Sequence, residues 1–277
     1  MSAQRITQIL VWTAAIAVAI AFLFPFLWMF ANSFREQDEI LTNPLRLIPE
    51  QLDFKAYREI ATIGGVSLIR FALNSLGITI AATALAVAVT ALGAYALDRR
   101  PKLPGFALVK TGFLLVIMYP YMLLVIPVYV VMHKLGLLGT YAGVILFLSV
   151  GPVQFFLFEQ FFRTIPREVI EAAQMDGATE WQILWRVILP IAKPVVGTVT
   201  LVTFLLTWSQ WFPILVISGS PNTYTLPVAL LLLNSELGAN FQGIMALATL
   251  TTLPSVLVFL ATQRRVVQGM AAGAVKG

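Results

Sequence analysis

The chain has 277 residues, of which 59% are hydrophobic and only 11% are charged. Soluble domains are about 45–50% apolar and about 25% charged, so this composition excludes a soluble domain and indicates an integral membrane protein. The absence of cysteine excludes disulfides, thiolate metal sites and cysteine nucleophiles, and the single histidine argues against a transition-metal site. The net charge of +5 comes from basic residues that lie between apolar segments, which indicates topology signals and no nucleic-acid partner.

Six apolar stretches are long enough to cross a bilayer, which takes about 20 residues of helix. The predicted spans are residues 9–30, 71–97, 111–132, 135–158, 195–217 and 243–262. Pro120 and Pro127 should kink the third span. A further apolar piece, residues 226–233, is too short to cross and is predicted to be a re-entrant or surface-lying element. The fold class is therefore all-α integral membrane, with residues 1–277 as one transmembrane domain.

An alternative for the first stretch is a secretory signal peptide. Its apolar region is longer than the roughly 7–15 residues of a signal sequence, which favours a membrane span.

The orientation of the chain in the membrane follows from its basic residues. Twelve Lys and Arg fall in cytoplasmic segments if both termini are cytoplasmic, against six outside, five of which lie in the long loop 31–70. The excess on one side predicts that both termini are cytoplasmic.

The interiors of the six spans contain no ionisable side chain, and His133 and Glu159 at span ends are interpreted as interfacial residues. A carrier driven by an ion gradient usually needs such groups, so an ion-coupled secondary carrier is disfavoured but stays open, because carbonyls and hydroxyls also bind sodium. A membrane enzyme would need converging acids, bases or metal ligands, which the sequence does not offer. The chain also lacks a phosphate-binding loop, so any ATP that drives it must be bound by another chain.

Residues 159–193, between the fourth and fifth spans, form the longest cytoplasmic segment. Pro166 suits the first turn of a helix, whose Val169, Ala172 and Ala173 share one face, and Gly177 suits the left-handed residue that ends it. This predicts a short amphipathic helix that ends near Asp176.

A second short helix should follow this glycine. Thr179 and Gln182 have the spacing of a capping box. The apolar stripe Trp181, Leu184, Trp185 and Ile188 should run up to Pro190, which should stop the helix. Two such helices must bury their apolar faces against headgroups, their own bundle or a partner.

The spacing Glu171-Ala172-Ala173, three residues, Gly177, nine residues and Val187-Ile188-Leu189-Pro190 resembles the cytoplasmic signature of permease subunits of ATP-binding-cassette importers. The departure is Val187, where that family has Ile. Asp176-Gly177-Ala178, Pro194 and the C-terminal tail from Gln263 resemble the carbohydrate branch, as does the sequence from Phe204 to Trp208, although Ser209 replaces a common Asn. The chain is thus similar to the second membrane subunit of the maltose importer.

The resemblance implies a multi-pass subunit of a prokaryotic inner membrane that forms half of a sugar pathway and is moved by a coupling helix. Its implied ATPase-coupling residues are Glu171, Ala172, Ala173, Asp176, Gly177, Ala178, Leu189 and Pro190. In the family, Glu171 would bond a basic residue of the ATPase, the alanines would allow close packing, and Gly177 would allow the bend.

The implied partners are a homologous second permease subunit, an ATPase dimer, an extracytoplasmic solute-binding protein, a sugar and membrane lipid. ATP and Mg would be bound by the ATPase, and this chain is expected to bind no cofactor or metal and to contain no catalytic residue. Trp208, Gln210 and Trp211 are candidates for the substrate path, with packing as the alternative for the tryptophans. The tail is either a solvated basic end or a segment that reaches the ATPase.

Overall fold

A computed structural model of the chain describes residues 3–99, 104–236 and 240–274. Arg100, Lys102 and the last three residues of the tail, which entered the sequence predictions, lie outside the described residues. The helices are α1 (Ala3–Asn32), α2 (Gln37–Thr42), α3 (Lys55–Glu59), α4 (Leu68–Arg99), α5 (Phe106–Met118), α6 (Tyr121–Lys134), α7 (Tyr141–Leu148), α8 (Pro152–Phe162), α9 (Arg167–Met175), α10 (Glu180–Ile183), α11 (Leu189–Ile191), α12 (Lys193–Trp208), α13 (Phe212–Ser218), α14 (Leu226–Glu236) and α15 (Phe241–Ala274).

The chain forms two compact units. One contains the chain up to Ile69 together with Ala229–Pro254, and the other contains Arg70–Val228 and the chain from Ser255 onward. Helices α4, α14 and α15 each have residues in both units.

Three described helices are long and apolar enough to cross a membrane: Thr7–Asn32, Leu68–Arg99 and Phe241–Gln263. They correspond to the predicted first, second and sixth spans. Among the described residues the number rises to five if each of two bent helix pairs is one span. The mostly helical, multi-pass architecture is thus as predicted. The prediction that residues 1–277 form one transmembrane domain stays a prediction.

The three middle spans are not continuous helices, because proline interrupts each of them. Residues 111–132 divide into α5 and α6 at Tyr119, whose backbone is extended because it precedes Pro120. Pro120 therefore breaks the span rather than kinking it, whereas Pro127 lies within α6. In the fourth predicted span, α7 begins only at Tyr141, and α8 starts at Pro152 after a bend of 46°.

The predicted fifth span, residues 195–217, is also interrupted. Helix α12 ends at Trp208 and α13 begins at Phe212, with Pro213 in its first turn. Proline cannot donate the hydrogen bond that would continue the helix across the preceding residues. This break was not predicted from the sequence, although Pro213 is its local signal.

The predicted outer loop, residues 31–70, is largely ordered by local structure. It contains α2, α3 and an antiparallel pair of two-residue strands, β1 (Thr62–Ile63) and β2 (Val66–Ser67). Gly64 and Gly65 between them have φ of 58° and 73°, as a tight hairpin turn requires. Among the described residues this pair is the exception to the all-α prediction, and the Gly-Gly between β-branched residues was the signal for it.

Arg35 is the organising side chain of this loop. It is fully buried, and its Nη1 donates to Asn32 Oδ1 at 2.7 Å and to the carbonyl oxygen of Arg46 at 2.8 Å. Its Nη2 donates to the carbonyl oxygens of Glu39 and Asn43, both at 2.9 Å, and its Nε donates to Glu39 Oε1 at 3.0 Å. A guanidinium has five N–H donors, so every donor of Arg35 is used.

Substitution of Arg35 by Met should therefore unfold the loop locally. Removing one partner of a buried charged network costs about 3–5 kcal/mol, here because three backbone carbonyls lose their donors. We expect limited proteolysis of the detergent-solubilised protein to cut residues 36–54 much faster in Arg35→Met. Arg58→Met, which changes an exposed arginine of the same loop, is the matched control. Equal cleavage rates for the two variants would contradict the organising role.

Candidate functional site

The first helix predicted in the cytoplasmic segment is α9, and its bounds agree with the prediction. Pro166 is its N-cap and Asp176 its C-cap. Ile170 is 4% exposed and Ala173 is half-buried, so these two residues face the body of the unit. The helix is therefore attached to the bundle along one face.

The opposite face of α9 is free. Glu168, Glu171, Ala172 and Met175 recur at i, i+3, i+4 and i+7, and all four are exposed, Met175 at 84%. Glu171 also borders a pocket of about 310 Å³ whose lining is mixed and includes three arginines and Asp98. This face combines two carboxylates with a small and a flexible apolar residue, which suits a protein partner.

Gly177 closes α9 as the sequence predicts. Its φ is +77°, and the N–H of Ala178 donates to the carbonyl oxygen of Ala173 while the N–H of Gly177 donates to that of Gln174, both at 3.0 Å. This is the Schellman arrangement of a helix end. A Cβ atom added at Gly177 would meet nothing within 4 Å, so the glycine is required for its backbone conformation and not for space.

The second helix starts at the predicted capping box. The N–H of Gln182 donates to Thr179 Oγ1 at 3.3 Å, and the N–H of Thr179 donates to Gln182 Oε1 at 2.9 Å. The helix continues from α10 through a π-helical turn, Leu184–Ile188, into α11. This helix ends at Ile191, one residue beyond Pro190, and a bend of 78° separates it from α12, so the prediction that Pro190 stops the helix is correct to within one residue.

The predicted apolar stripe of this helix is only half correct. Leu184 and Ile188 are 2% exposed, but Trp181 and Trp185 are 61% and 53% exposed. Ile183 takes the third buried position instead. The face that packs on the apolar cluster passes through Ile183, Leu184 and Ile188, to one side of the predicted stripe, and leaves the two tryptophans in contact with each other at 5.5 Å on the exposed side.

The two helices of the predicted cytoplasmic segment are held by a shared apolar cluster. Ile170 of α9 and Ile183 of α10 lie in it with Phe158 and Phe162 of α8, which stack at 5.8 Å, and with Ala94 of α4. Burying a side chain the size of Ile contributes about 1.5–3 kcal/mol. The bend between α9 and α10, called the elbow below (residues 173–182), is therefore fixed to the ends of α4 and α8.

A charged contact adds to this attachment. Arg99 at the end of α4 donates from Nη2 to Glu180 Oε1 at 3.1 Å and from Nε to Glu180 Oε2 at 3.2 Å. Tyr95 donates from its hydroxyl to Glu180 Oε2 at 2.8 Å. Glu180 was not among the predicted site residues, because its partners are about 80 positions away in the sequence.

Glu159 is more than an interfacial residue. Its side chain is 6% exposed and accepts hydrogen bonds at Oε1 from Lys110 Nζ and from Arg163 Nη2, both at 2.7 Å. The carboxylate is thus paired with two cations and joins α5 to α8.

The eight predicted coupling residues divide by exposure. Ala173, Ala178 and Leu189 pack against the apolar cluster, so they support the elbow from inside. The exposed members are Glu171, Ala172, Asp176, Gly177 and Pro190. Of the alanine pair, only Ala172 is available for contact with another chain.

The candidates for a substrate path lie at the break between α12 and α13. Trp208 is 4% exposed and stacks on Phe204 at 5.8 Å, as a packing residue does. Gln210 is half-buried in the break, and Trp211 is 39% exposed. Trp208 is therefore a buried packing residue, whereas Gln210 and Trp211 remain accessible.

Comparison with known proteins identifies relatives along the whole chain. The family model described as "binding-protein-dependent transport system inner membrane component" matches residues 90–272. The chain is 32% identical to the arabinooligosaccharides transport system permease protein AraQ of Halalkalibacterium halodurans, over 99% of both chains. It is also 32% identical to the trehalose transport system permease protein SugB of Mycobacterium tuberculosis, over 100% of both chains.

A solved structure shares the fold. The crystal structure of a bacterial ABC transporter involved in the import of the acidic polysaccharide alginate contains a chain with a TM-score of 0.81 and 23% identity, covering 95% of this chain and 98% of that one.

Substitutions at Gly177 should act through the backbone. An L side chain in the left-handed conformation costs about 1–2 kcal/mol, so Gly177→Ala should lower the thermal stability of the purified protein, and Gly177→Asn should lower it less. Gly197→Ala is the matched control. Gly197 lies within α12 with open space around it, so the same substitution there should be neutral or stabilising by up to about 1 kcal/mol. Equal melting temperatures for Gly177→Ala and the unsubstituted protein would contradict this account.

Proposed function

The chain belongs to the family of binding-protein-dependent transport system inner membrane components, and we propose from this premise that it is the permease subunit of an ATP-driven sugar importer. It is a multi-pass inner membrane protein and a transport subunit rather than an enzyme. Its full-length similarity to permeases for arabinooligosaccharides and trehalose supports a sugar as the cargo. The observation that carries the mechanism is the elbow, which is anchored on one face and exposed on the other.

A separate ATPase dimer binds ATP and Mg and docks on the exposed face of α9. Glu171 offers a carboxylate to a basic residue of that ATPase, and Ala172 allows close approach. The cofactors thus belong to the ATPase, and this chain binds none. A homologous second permease completes the pathway, and an extracytoplasmic protein delivers the sugar.

Closure of the ATPase dimer on ATP moves α9. Because Ile170 and Ile183 are buried in one cluster with α4 and α8, the elbow and these helices move together as a rigid body. The pathway then switches between inward-facing and outward-facing states, whose populations ATP shifts.

The topology proposed for this function has six spans, one transmembrane domain and both termini in the cytoplasm. Contacts between segments are consistent with it. Glu180, from the cytoplasmic loop, bonds Arg99 at the predicted inner end of the second span. Asn74, at the predicted outer end, bonds the loop before α14.

The break between α12 and α13 is the proposed contribution of this chain to the sugar path. Interrupted helices are tolerated at membrane depth where they line a cavity, because their free backbone groups need polar partners. Gln210 supplies an amide and Trp211 an exposed aromatic face at this break. Both groups suit a sugar, which presents hydroxyls and apolar ring faces.

The docking face is tested by Glu171→Ala and by Ala172→Trp, which places a bulky side chain on an exposed position without disturbing the core. Loss of a charge pair across an interface costs about 2–5 kcal/mol, which corresponds to more than a tenfold loss of affinity. We expect binding-protein-stimulated ATP hydrolysis of the reconstituted complex to fall at least tenfold in both variants.

The control for this test is Glu50→Ala, which removes an exposed carboxylate from the outer loop. Full stimulation in both α9 variants would contradict the docking role. Sugar uptake by the purified chain alone, driven by an ion gradient, would instead favour a secondary carrier.

The path residues are tested by comparing two tryptophans. Trp211→Ala should raise the sugar concentration for half-maximal uptake at an unchanged melting temperature, since the side chain is exposed. Trp208→Ala should lower thermal stability, because burial of a Trp side chain contributes about 3–5 kcal/mol. Unchanged uptake in Trp211→Ala would remove this residue from the path.

A further inference from the structure

An elongated apolar pocket lies between α4, α12 and the helix that continues from α10 into α11. Its volume is about 450 Å³, and Thr83 and Thr200 supply the hydroxyls of an otherwise hydrophobic lining. Along α4 the lining runs from Ile80 to Leu92, which corresponds to about 18 Å at 1.5 Å per residue. The pocket thus extends from the middle of the predicted second span, residues 71–97, toward its predicted inner end.

A second, wider pocket lies beside the first. It has a volume of about 780 Å³ and shares Trp185, Leu189 and Val196 with the first pocket, so the two adjoin. Lys193 also lines it, whereas no acidic residue does. The Lys193 side chain is exposed and forms no ion pair with a described residue. The two pockets together are therefore apolar at one end and cationic at the other.

The position of Lys193 adds to this positive charge. Lys193 is the first residue of α12, a helix of 16 residues that follows a bend of 78° and has no acidic side chain in its first turn. The peptide dipoles of a helix place about half a positive charge at its N-terminus, so the lysine stands where an anion is already favoured. Trp185, which lines both pockets, is 53% exposed, and tryptophan is typical of the boundary between headgroups and hydrocarbon.

We propose that these two pockets hold one anionic phospholipid of the inner leaflet, with an acyl chain in the first pocket and the headgroup phosphate at Lys193. One leaflet contributes half of a hydrocarbon core of about 30 Å, so a chain that starts at the headgroups can reach along a pocket about 18 Å long. Basic pockets between membrane helices on the cytoplasmic side suit anionic headgroups. This lipid site is separate from the docking face and the sugar path, so it goes beyond the proposed function and can be tested without a cargo.

The first pocket favours an acyl chain over a polar occupant. Apolar walls that face an empty space lose their dispersion contacts, and a hydrocarbon chain restores them. A sugar in the same place would lose the water bound to its hydroxyls and find few polar partners in return. The cation at the other end selects the headgroup, because it pairs with a phosphate that carries net negative charge.

The test uses the full chain, purified with its partner subunits and reconstituted in phosphatidylcholine vesicles. The probes are phosphatidylglycerol and phosphatidylcholine with brominated acyl chains, since bromine quenches the fluorescence of a tryptophan that it contacts. Subtracting the signal of Trp185→Phe isolates the signal of Trp185. We expect half-maximal quenching of Trp185 at an about fivefold lower mole fraction of the anionic lipid, as one basic residue near a headgroup contributes. Equal curves for the two lipids would overturn the proposal.

Lys193→Gln tests the headgroup site. It should raise the half-maximal fraction of the anionic lipid to that of the zwitterionic lipid. Arg186→Gln is the matched control, because Arg186 is an exposed cation next to Trp185 that lines neither pocket. An equal loss of preference in both variants would show a general attraction to charged surfaces and would overturn the site.

Ala88→Phe tests the acyl-chain site. Ala88 is exposed and lines the first pocket, so a phenyl ring there should fill the pocket and abolish the fivefold preference while Lys193 stays in place. Val89→Phe is the control, because Val89 is the neighbouring exposed residue and does not line the pocket. Melting temperatures of the two variants show whether either fold is disturbed. The same preference in both variants would contradict the position of the acyl chain.

Other occupants give different results. Thr83 lines the first pocket, is 4% exposed and has a hydroxyl without a hydrogen-bond partner among the described residues. An acyl chain does not use this hydroxyl, so Thr83→Val should leave the quenching curves unchanged, and weaker quenching would place a polar group there instead. If neither lipid quenches Trp185, a second permease subunit covers the pockets, and that result would also overturn the proposal.

Discussion

The burial of Ile170 and Ile183 in the cluster around Phe158 and Phe162 is the constraint on which the mechanism depends. A loop without such anchors would be displaced by a bound partner without moving the helices of the bundle. Protein interiors are close-packed and deform little, so an element that is packed into them moves with its surroundings. The exposed face of α9 is therefore a surface of the whole unit and not of a flexible connection.

Breaks and continuity have different roles among the membrane helices. Proline divides the third, fourth and fifth predicted spans, and each division frees backbone groups that must find partners inside the protein. The division before Pro213 leaves Gln210 half-buried and Trp211 39% exposed, which is the basis of the proposed sugar path. Helix α4 is unbroken instead, and it bonds Asn222 near its start and Glu180 near its end. The chain thus contains broken helices, which suit the proposed sugar path, and the unbroken α4, which suits the proposed transmission of movement.

Much of the elbow was predictable because its determinants are local. Pro166, Gly177 and the Thr179–Gln182 pair each act within a few residues, and the structure has the helix ends at these positions. The faces of the second helix were not predictable, since tertiary packing places Ile183 in the apolar cluster and leaves Trp181 and Trp185 exposed. The contacts of Glu180, Asn74 and Arg35 depend on tertiary structure, so composition and periodicity could not indicate them.

The elbow also has a consequence for biogenesis. Its closing hydrogen bonds all join atoms within residues 173–182, so this bend has a very low contact order. Structures of that kind form in microseconds or less, far faster than the ribosome adds residues. The turn can thus begin to form soon after these residues leave the ribosome, and Val199 of α12 then completes the apolar cluster that fixes its angle.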